Sequence, residues 1–337
     1  MGNNILMILD LKKYFKTNYG LVRAVDGITL SVNEGETLGL VGESGSGKST
    51  TGHLVVGMYS PTSGSIIYKG RDISFTSDKR PKDLRNEIQI VFQDPASSLN
   101  PSKYVKDIIA SQLRLIGIKD RWEIENRISN LLDSVDLPPE SYMYRKPRDL
   151  GGGELQAIAI ARALSTNPKL IVLDEPTSAL DVITQAKIVK LLKRIQEQMK
   201  LTYIFITHDL AVAKHISDRI AVMYLGKVVE MADSEELFKN PQHPYTMMLF
   251  SSIPVLSEEE RKIRPKRVRS IGEIPSAISP PPGCRFHTRC PFANEICTKQ
   301  EPILSPVNGN PSHIVACHLI SDKNKNIQEY QEPVLRG

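Results

Sequence analysis

No cysteine occurs before Cys284, so nothing upstream of it can be held by a disulfide or a thiolate-bound metal. Apolar runs are short. None approaches the ~18 residues that a membrane-spanning helix needs. Asp10, Lys12 and Lys13 interrupt the opening segment before a secretory core could form. The expectation is a cytosolic chain that deals with membranes through partners. Excess charge is scarce too: the formal net charge is +5 over 337 residues, which is no nucleic-acid coat. The clearest basic run, Arg261 to Arg269, carries Lys262, Arg264, Lys266 and Arg267. It reads as a solvated linker rather than a nucleic-acid or lipid patch, because no aromatic interleaves with it to stack on bases. With 40% hydrophobic residues the chain can bury a full core, and its length allows one large and one small domain.

What is present centres on Gly42-Glu43-Ser44-Gly45-Ser46-Gly47-Lys48-Ser49, followed by Thr50. The stretch fits G-x-x-x-x-G-K-[ST], a loop that wraps nucleotide phosphates. Gly42, Gly45 and Gly47 allow a tight backbone that brings successive N–H groups to an anion, and a helix starting near Lys48 points its positive end at the same place. Lys48 can reach the β- and γ-phosphates, and Ser49 can put its hydroxyl on Mg²⁺. Before the loop, Glu36 to Val41 reads as a buried strand, so the context is strand, loop, helix.

Other segments follow in order. Residues 5–41 look β-rich, with Ile28, Leu30 and Val32 alternating with polar neighbours; Tyr14 and Phe15 are either core or stacking aromatics. Short strands are expected at 64–70 and at 88–92, the second ending at Gln93. From about 100 to 150 the spacing turns helical: Ile108, Ile109, Leu113 and Leu115, then Ile124, Ile128, Leu132 and Val135. Gly151-Gly152-Gly153-Glu154 precedes a strong helix former, Ala157 to Leu164, and is a phosphate cradle or a flexible joint. Leu170 to Leu173, four consecutive aliphatics, ends in Asp174 and Glu175. Carboxylates at a buried strand tip suit Mg²⁺ binding and orientation of an attacking water. Tyr203 to Thr207 ends similarly in His208 and Asp209. Strands at 220–224 and 228–231 flank Gly226-Lys227. After Pro241 proline becomes frequent, and a separate C-terminal module is expected. Its Cys284, Cys290, Cys297 and Cys317 are spaced C-x5-C-x6-C-x19-C, outside the usual zinc pairs and iron–sulfur runs. Clustering in a reducing compartment argues for a metal over disulfides.

In this order the motifs resemble the ATP-binding cassette ATPases over nearly the whole chain. The resemblance implies an α/β fold: a P-loop NTPase core with an antiparallel β subdomain and a helical signature subdomain at about 95–165, all within 1–240, and a small Cys-containing module at 241–337. It implies ATP and Mg²⁺ as cofactors. Gly42, Ser44, Gly45, Gly47, Lys48, Ser49 and Thr50 would hold phosphates, and Ser49, Asp174 and Gln93 would serve the metal. Glu175 matches the general base, His208 the switch histidine, Gln93 the Q-loop glutamine, and Asp181, in Ser178-Ala179-Leu180-Asp181, the D-loop. Phe15, with Tyr14 as second choice, matches the base-stacking aromatic. Gly151, Gly152 and Gly153 occupy the signature that a facing subunit would use.

Asn240-Pro241-Gln242-His243-Pro244-Tyr245-Thr246, Gly272 to Ser276 and Gly283 to His287 resemble the dipeptide/oligopeptide importer ATPases, and Phe92 to Pro101 their second, F-type, subunit. That implies a peripheral protein on the cytoplasmic face of the membrane, paired with a second ATPase subunit and two permeases. An extracytoplasmic binding protein would lie beyond the permeases, and no nucleic acid is implied. It also implies a [4Fe–4S] cluster on the four cysteines, with zinc as the alternative. Di- or oligopeptides are the implied cargo; sugars, nickel and glutathione are alternatives. A soluble cassette ATPase acting on DNA or ribosomes is the rival, but there is one phosphate loop and no heptad run. The chain departs from the family at Leu150-Gly151-Gly152-Gly153-Glu154, where the family reads L-S-G-G-Q, and at Gln156-Ala157, near the usual arginine. Gly151 has no hydroxyl and Glu154 adds charge, so the expectation is a weakened site on the partner's phosphate loop and an asymmetric heterodimer.

Overall fold

The computed structural model describes residues 4–251 and 271–320; the basic run at 261–269 lies outside them. Strands β1 (Asn4–Thr17) and β2 (Gly20–Asn33) pair as a long antiparallel hairpin. Next come β3 (Thr37–Val41), buried along its length, and α1 (Lys48–Val56). Short strands β4 (Ser63–Tyr68) and β5 (Arg71–Asp72) complete a four-stranded antiparallel sheet in the order β2-β1-β4-β5. After α2 (Lys82–Glu87) and β6 (Ile88–Val91) the chain turns helical. The run comprises α3 (Pro95–Ser98), α4 (Val105–Leu115), α5 (Arg121–Ser134), α6 (Pro139–Tyr142) and α7 (Gly152–Leu164). The α/β alternation resumes with β7 (Leu170–Asp174), α8 (Val182–Met199), β8 (Thr202–Thr207), α9 (Leu210–Ile216), β9 (Arg219–Tyr224) and β10 (Lys227–Asp233). Helices α10 (Ser234–Lys239) and α11 (Pro244–Ser251) follow, then strands β11 (Ser305–Val307) and β12 (Asn310–Val315).

Eight strands form the main sheet in the order β11-β12-β10-β9-β3-β8-β7-β6. Those from β9 to β6 are parallel, and the apolar runs of β3, β8 and β7 are buried on both faces, as parallel sheets require. Leu6, Ile8 and Ile28 of the antiparallel sheet share a core with Leu38 and Leu40 of β3 and Leu54 of α1. On α5, Ile124, Ile128 and Leu132 recur four apart and face the core, and Asp120 caps the helix by accepting from Glu123 N–H. Leu115, at helical spacing in the sequence, is instead 74% exposed at the end of α4.

The described residues after 240, 241–251 and 271–320, pack against this body. Strand β12 pairs with β10, Glu230 opposite Val315, and so extends the main sheet. Tyr245 and Phe286 pack with Tyr224 in one buried cluster, each contributing roughly 2 kcal/mol. The 240–246 segment has a physical role here. Glu230, fully buried, accepts from the Gln242 and His243 backbone N–H groups at 2.7 and 2.9 Å and lies 2.7 Å from His313 Nε2. Burial pulls the His243 pKa down to about 4, so its neutral ring accepts from Tyr245 N–H.

Candidate active site

β3, β8 and β7 lie side by side and parallel, so their C-terminal ends open on one edge of the sheet. Ligand sites of open α/β sheets form at that edge. The loop after β3, the Asp174-Glu175 pair at the end of β7 and His208 after β8 all emerge there.

Two glycines set the loop's shape. A Cβ on Gly42 (φ +151°) would stand 2.2 Å from the Met223 carbonyl oxygen, and one on Gly47 (φ +103°) 2.2 Å from that of Ala24. No side chain fits at either. Gly226 N–H donates to Ser46 O at 2.9 Å and ties the loop to the β9–β10 turn. Gly47 gives α1 no side-chain cap, which leaves the helix's positive end open to an anion. Lys48 Nζ donates to the carbonyls of Gly42 (2.7 Å) and Glu43 (3.0 Å), filling the loop with its own cation. Burial lowers its pKa, while Glu175, Asp174 and Glu43 pull the other way. Ser44 and Gly45 are exposed at the tip of the loop, and Thr50 is half-buried.

Ser49 Oγ donates to Asp174 Oδ1 at 2.8 Å, a hydroxyl and a carboxylate converging as oxygen donors suited to Mg²⁺. Beside them, Glu175 Oε2 accepts from Gln93 Nε2 at 3.0 Å and lies 3.2 Å from His208 Nδ1. Residues far apart in sequence are thus gathered on two adjacent carboxylates. Glu175 sits at φ +46°, a left-handed backbone unusual for a non-glycine residue and more so before Pro176. Sequence reasoning gave no sign of that strain. It also missed His53, whose Nε2 lies 3.2 Å from Asp174 Oδ2, without hydrogen-bond geometry, and whose ring tilts between Tyr59 and Phe92. The signal was there: His53 is four residues after Ser49, hence on the same face of α1.

Phe15 is half-buried, edge-on to Tyr59 with centroids 5.3 Å apart. Tyr14 is tethered instead, its hydroxyl donating to Asp26, and burial first and Asp26 second push its pKa up to about 12. Gly151, Gly152 and Gly153 line a groove with Asp181 and Thr184, and no residue of the 42–50 loop borders it. Asp181 caps α8 by accepting from Ile183 and Thr184 N–H. Glu154 folds back on its own helix: it accepts from Gly151 N–H at 2.8 Å and from Tyr142 Oη at 2.5 Å. Those two bonds, Tyr142 first, hold its carboxyl below the usual carboxylate range. The charge expected near a facing polyphosphate is therefore already committed to the start of α7.

Among the described residues none of the four cysteines is joined in a disulfide. Burial pushes Cys284 up to about 11 and Cys290 up to about 12, and raises Cys317 as well. Each of the three is raised further by other members of the set, so the four share one neighbourhood. As a donor set they fit a tetrathiolate centre. Their side chains are not drawn into one: among the described residues no group of three or more His, Cys, Asp or Glu stands in a metal-holding arrangement. Cys297 Sγ donates to Asn294 Oδ1 at 3.0 Å instead.

Among the described residues no helix is long and apolar enough to cross a membrane. The family described as "ABC transporter" matches residues 25–178, and that described as "Oligopeptide/dipeptide transporter, C-terminal region" matches residues 229–297. The chain is 48% identical to the oligopeptide transport ATP-binding protein AppF of Bacillus subtilis, across 94% of this chain and 98% of AppF. It is 44% identical to the oligopeptide transport ATP-binding protein OppF of Salmonella typhimurium, across 93% and 95%. Among solved structures, the dimeric ATP-binding cassette MJ0796 in a post-hydrolysis state bound to ADP and Pi is 31% identical, with a TM-score of 0.62 over 68% of this chain and 98% of that one. The cassette cbiO1 of Clostridium perfringens, from the transporter complex cbiONQ, is 30% identical, with a TM-score of 0.62 over 70% and 91%.

Proposed function

Because this chain belongs to the ATP-binding cassette ATPases of the oligopeptide-transporter type, we propose that it binds and hydrolyses ATP to drive uptake of di- or oligopeptides. The observation that carries the reading is the convergence of Ser49, Asp174, Glu175, Gln93 and His208 beside the phosphate loop. Lys48 leaves its loop carbonyls for the β- and γ-phosphates, and the N–H groups of residues 45–50 receive them. Phe15 offers a ring face to the base, and Thr50 lies next to the loop at the start of α1. Ser49 and Asp174, with Gln93 close by, would hold Mg²⁺, which would supply charge neutralisation of the leaving phosphates. Glu175 orients the attacking water and takes its proton at Oε2, the atom now facing Gln93 and His208.

In this proposal residues 1–240 form the nucleotide-binding domain and 241–337 a C-terminal region joined to it. The chain works on the cytoplasmic face of the membrane as one half of a heterodimer. The other half is a second cassette ATPase, and both rest on two permeases fed by an extracytoplasmic binding protein. The site on its own phosphate loop retains Lys48, Asp174, Glu175 and His208 and borrows the partner's signature. The partner's loop faces Gly151–Gly153 and Asp181 of this chain, the weaker of the two composite sites. Cys284, Cys290, Cys297 and Cys317 would hold a metal centre, iron–sulfur before zinc, which would supply a covalent tie among the loops of the C-terminal region. Their shared burial supports that reading. Anaerobically purified protein with broad absorption near ~400 nm supports iron–sulfur; stoichiometric zinc without iron overturns it. For the motor itself, Glu175→Gln in the heterodimer on its permeases should lower ATP turnover by a factor of about 100 or more while Mg·ATP still binds. Turnover kept at the wild-type level, with the partner's equivalent change abolishing it, refutes the assignment.

A further inference from the structure

Glu43, the second residue of the phosphate loop, is held at each of its polar groups. Its carbonyl accepts from Lys48 at 3.0 Å. Its N–H donates to Tyr245 Oη at 2.8 Å. Its carboxylate takes both arms of Arg289, at 2.7 and 3.0 Å. Tyr245 and Arg289 lie about 200 and 250 residues downstream and have no place in the phosphate chemistry. Arg289 is buried to 6% exposure, and its guanidinium lies 5.7 Å from the ring centroids of both Tyr224 and Phe286. Tyr245 packs on the same two rings. The two groups that grip the loop thus share one rigid aromatic base.

A second contact runs the same way. Arg285, four residues before Arg289, donates to Asp26 and to the Leu225 carbonyl, and Asp26 accepts from Tyr14, the neighbour of Phe15. The C-terminal region therefore touches the phosphate loop and, through Asp26 of β2, is linked to the strand that carries the candidate base-stacking aromatic. A glycine-rich loop loses conformational entropy when it closes on an anion, and a scaffold that fixes its shape beforehand removes part of that cost. Lys48 must let go of the Glu43 carbonyl to reach a phosphate; the other two contacts remain in place when it does.

We infer that Arg289 and Tyr245 are positioning residues for nucleotide binding, holding Glu43 so that the phosphate loop stands open for Mg·ATP. The inference rests on the ATPase reading above and adds a role for the C-terminal region in it. A bidentate charge-assisted pair, largely shielded from water, is strong enough to set a loop's shape.

The test is Mg·ATP affinity of the full chain, by calorimetry. Arg289→Met combined with Glu43→Gln removes one positive and one negative charge, so the net charge at the loop is unchanged and methionine keeps the packing on Tyr224 and Phe286. This double variant should bind Mg·ATP about tenfold more weakly. Amide hydrogen exchange should speed up over residues 42–47 and stay as it was over β10 and β12. A purely structural loosening of the C-terminal region would move both. Tyr245→Phe keeps the ring and removes only the hydroxyl at the Glu43 amide; it should weaken binding about threefold, and it covers the case in which the double variant does not fold. Wild-type affinity in either folded variant overturns the inference. Wild-type protein with no Mg·ATP affinity would instead sink the ATPase reading from which it starts.

Discussion

The self-capped start of α7 gives a prediction with a worked size. In Glu154→Gln with Gly151→Ser the carboxylate charge at the helix N-terminus is lost, and a hydroxyl appears where the family carries one. The structure has room for it: a Cβ on Gly151 meets only Glu154 Oε2, at 3.7 Å, and the glycine's φ is an ordinary −75°. The lost charge–helix interaction is worth about 0.5 kcal/mol, the low end of its range because the site is partly open to solvent. Stability should therefore fall by only about 1–2 °C in Tm. Glu154's carboxyl is held low, so its contribution is present above the ordinary glutamate pKa and fades as pH falls through the lowered one; the variant should lack that acid-side loss. The gain lies elsewhere. The new hydroxyl becomes available to the γ-phosphate of the facing site, the neutral amide at 154 still caps the residue-151 N–H, and one charge-assisted hydrogen bond is worth about 1.5 kcal/mol, or about tenfold. The assay is phosphate release by the heterodimer with Glu175→Gln also in this chain, so that only the partner's loop turns over. A folded heterodimer whose turnover does not rise refutes the idea that Glu154 occupies the signature.

Two further outcomes follow from contacts elsewhere in the chain. Burial pulls the pKa of His313 down, but the hydrogen bond and charge of Glu230, helped by Glu236, outweigh it and raise the pKa. That stabilisation is complete below the unfolded histidine pKa of about 6.5 and is lost as pH rises through the raised value, so Tm should drop on the alkaline side, and His313→Gln should abolish that dependence. Gly47→Ala drives a Cβ to 2.2 Å from a backbone carbonyl at positive φ and should cost about 2–4 kcal/mol in urea denaturation, whereas Gly45→Ala, with open space around it, should cost about 1.

The parallel strands were legible because their apolar runs end in chemistry. Leu170–Leu173 before Asp174, and Tyr203–Thr207 before His208, could be read without a structure. The phosphate loop was legible for the same reason that Gly42 and Gly47 cannot be replaced: sterics leave few sequences for that path. Leu115 misled because periodicity cannot tell the last turn of a helix from its buried face. The junction at 240 was obscured because proline frequency signals irregular backbone and says nothing about where β12 pairs. Glu154's return to its own helix is a matter of rotamer, and the Glu43–Arg289 contact joins positions 246 apart, beyond any local pattern.

Glu175 shows how the fold spends stability at the site. At φ +46° and ahead of proline, a glutamate backbone costs about 1–2 kcal/mol. The position is enforced: Glu175 N–H donates to Ile206 O at 2.9 Å, which continues the β7–β8 ladder one residue past the strand and turns the side chain toward Gln93 and His208. Glu175→Gly should be more stable than Glu175→Ala by about 1 kcal/mol in urea denaturation, although glycine ordinarily loses to alanine through backbone entropy. Both remove the carboxylate and its contacts, so the comparison isolates the backbone. An alanine variant at least as stable as the glycine one would mean that the left-handed turn carries no strain, and that the carboxylate's aim derives from its side-chain partners alone.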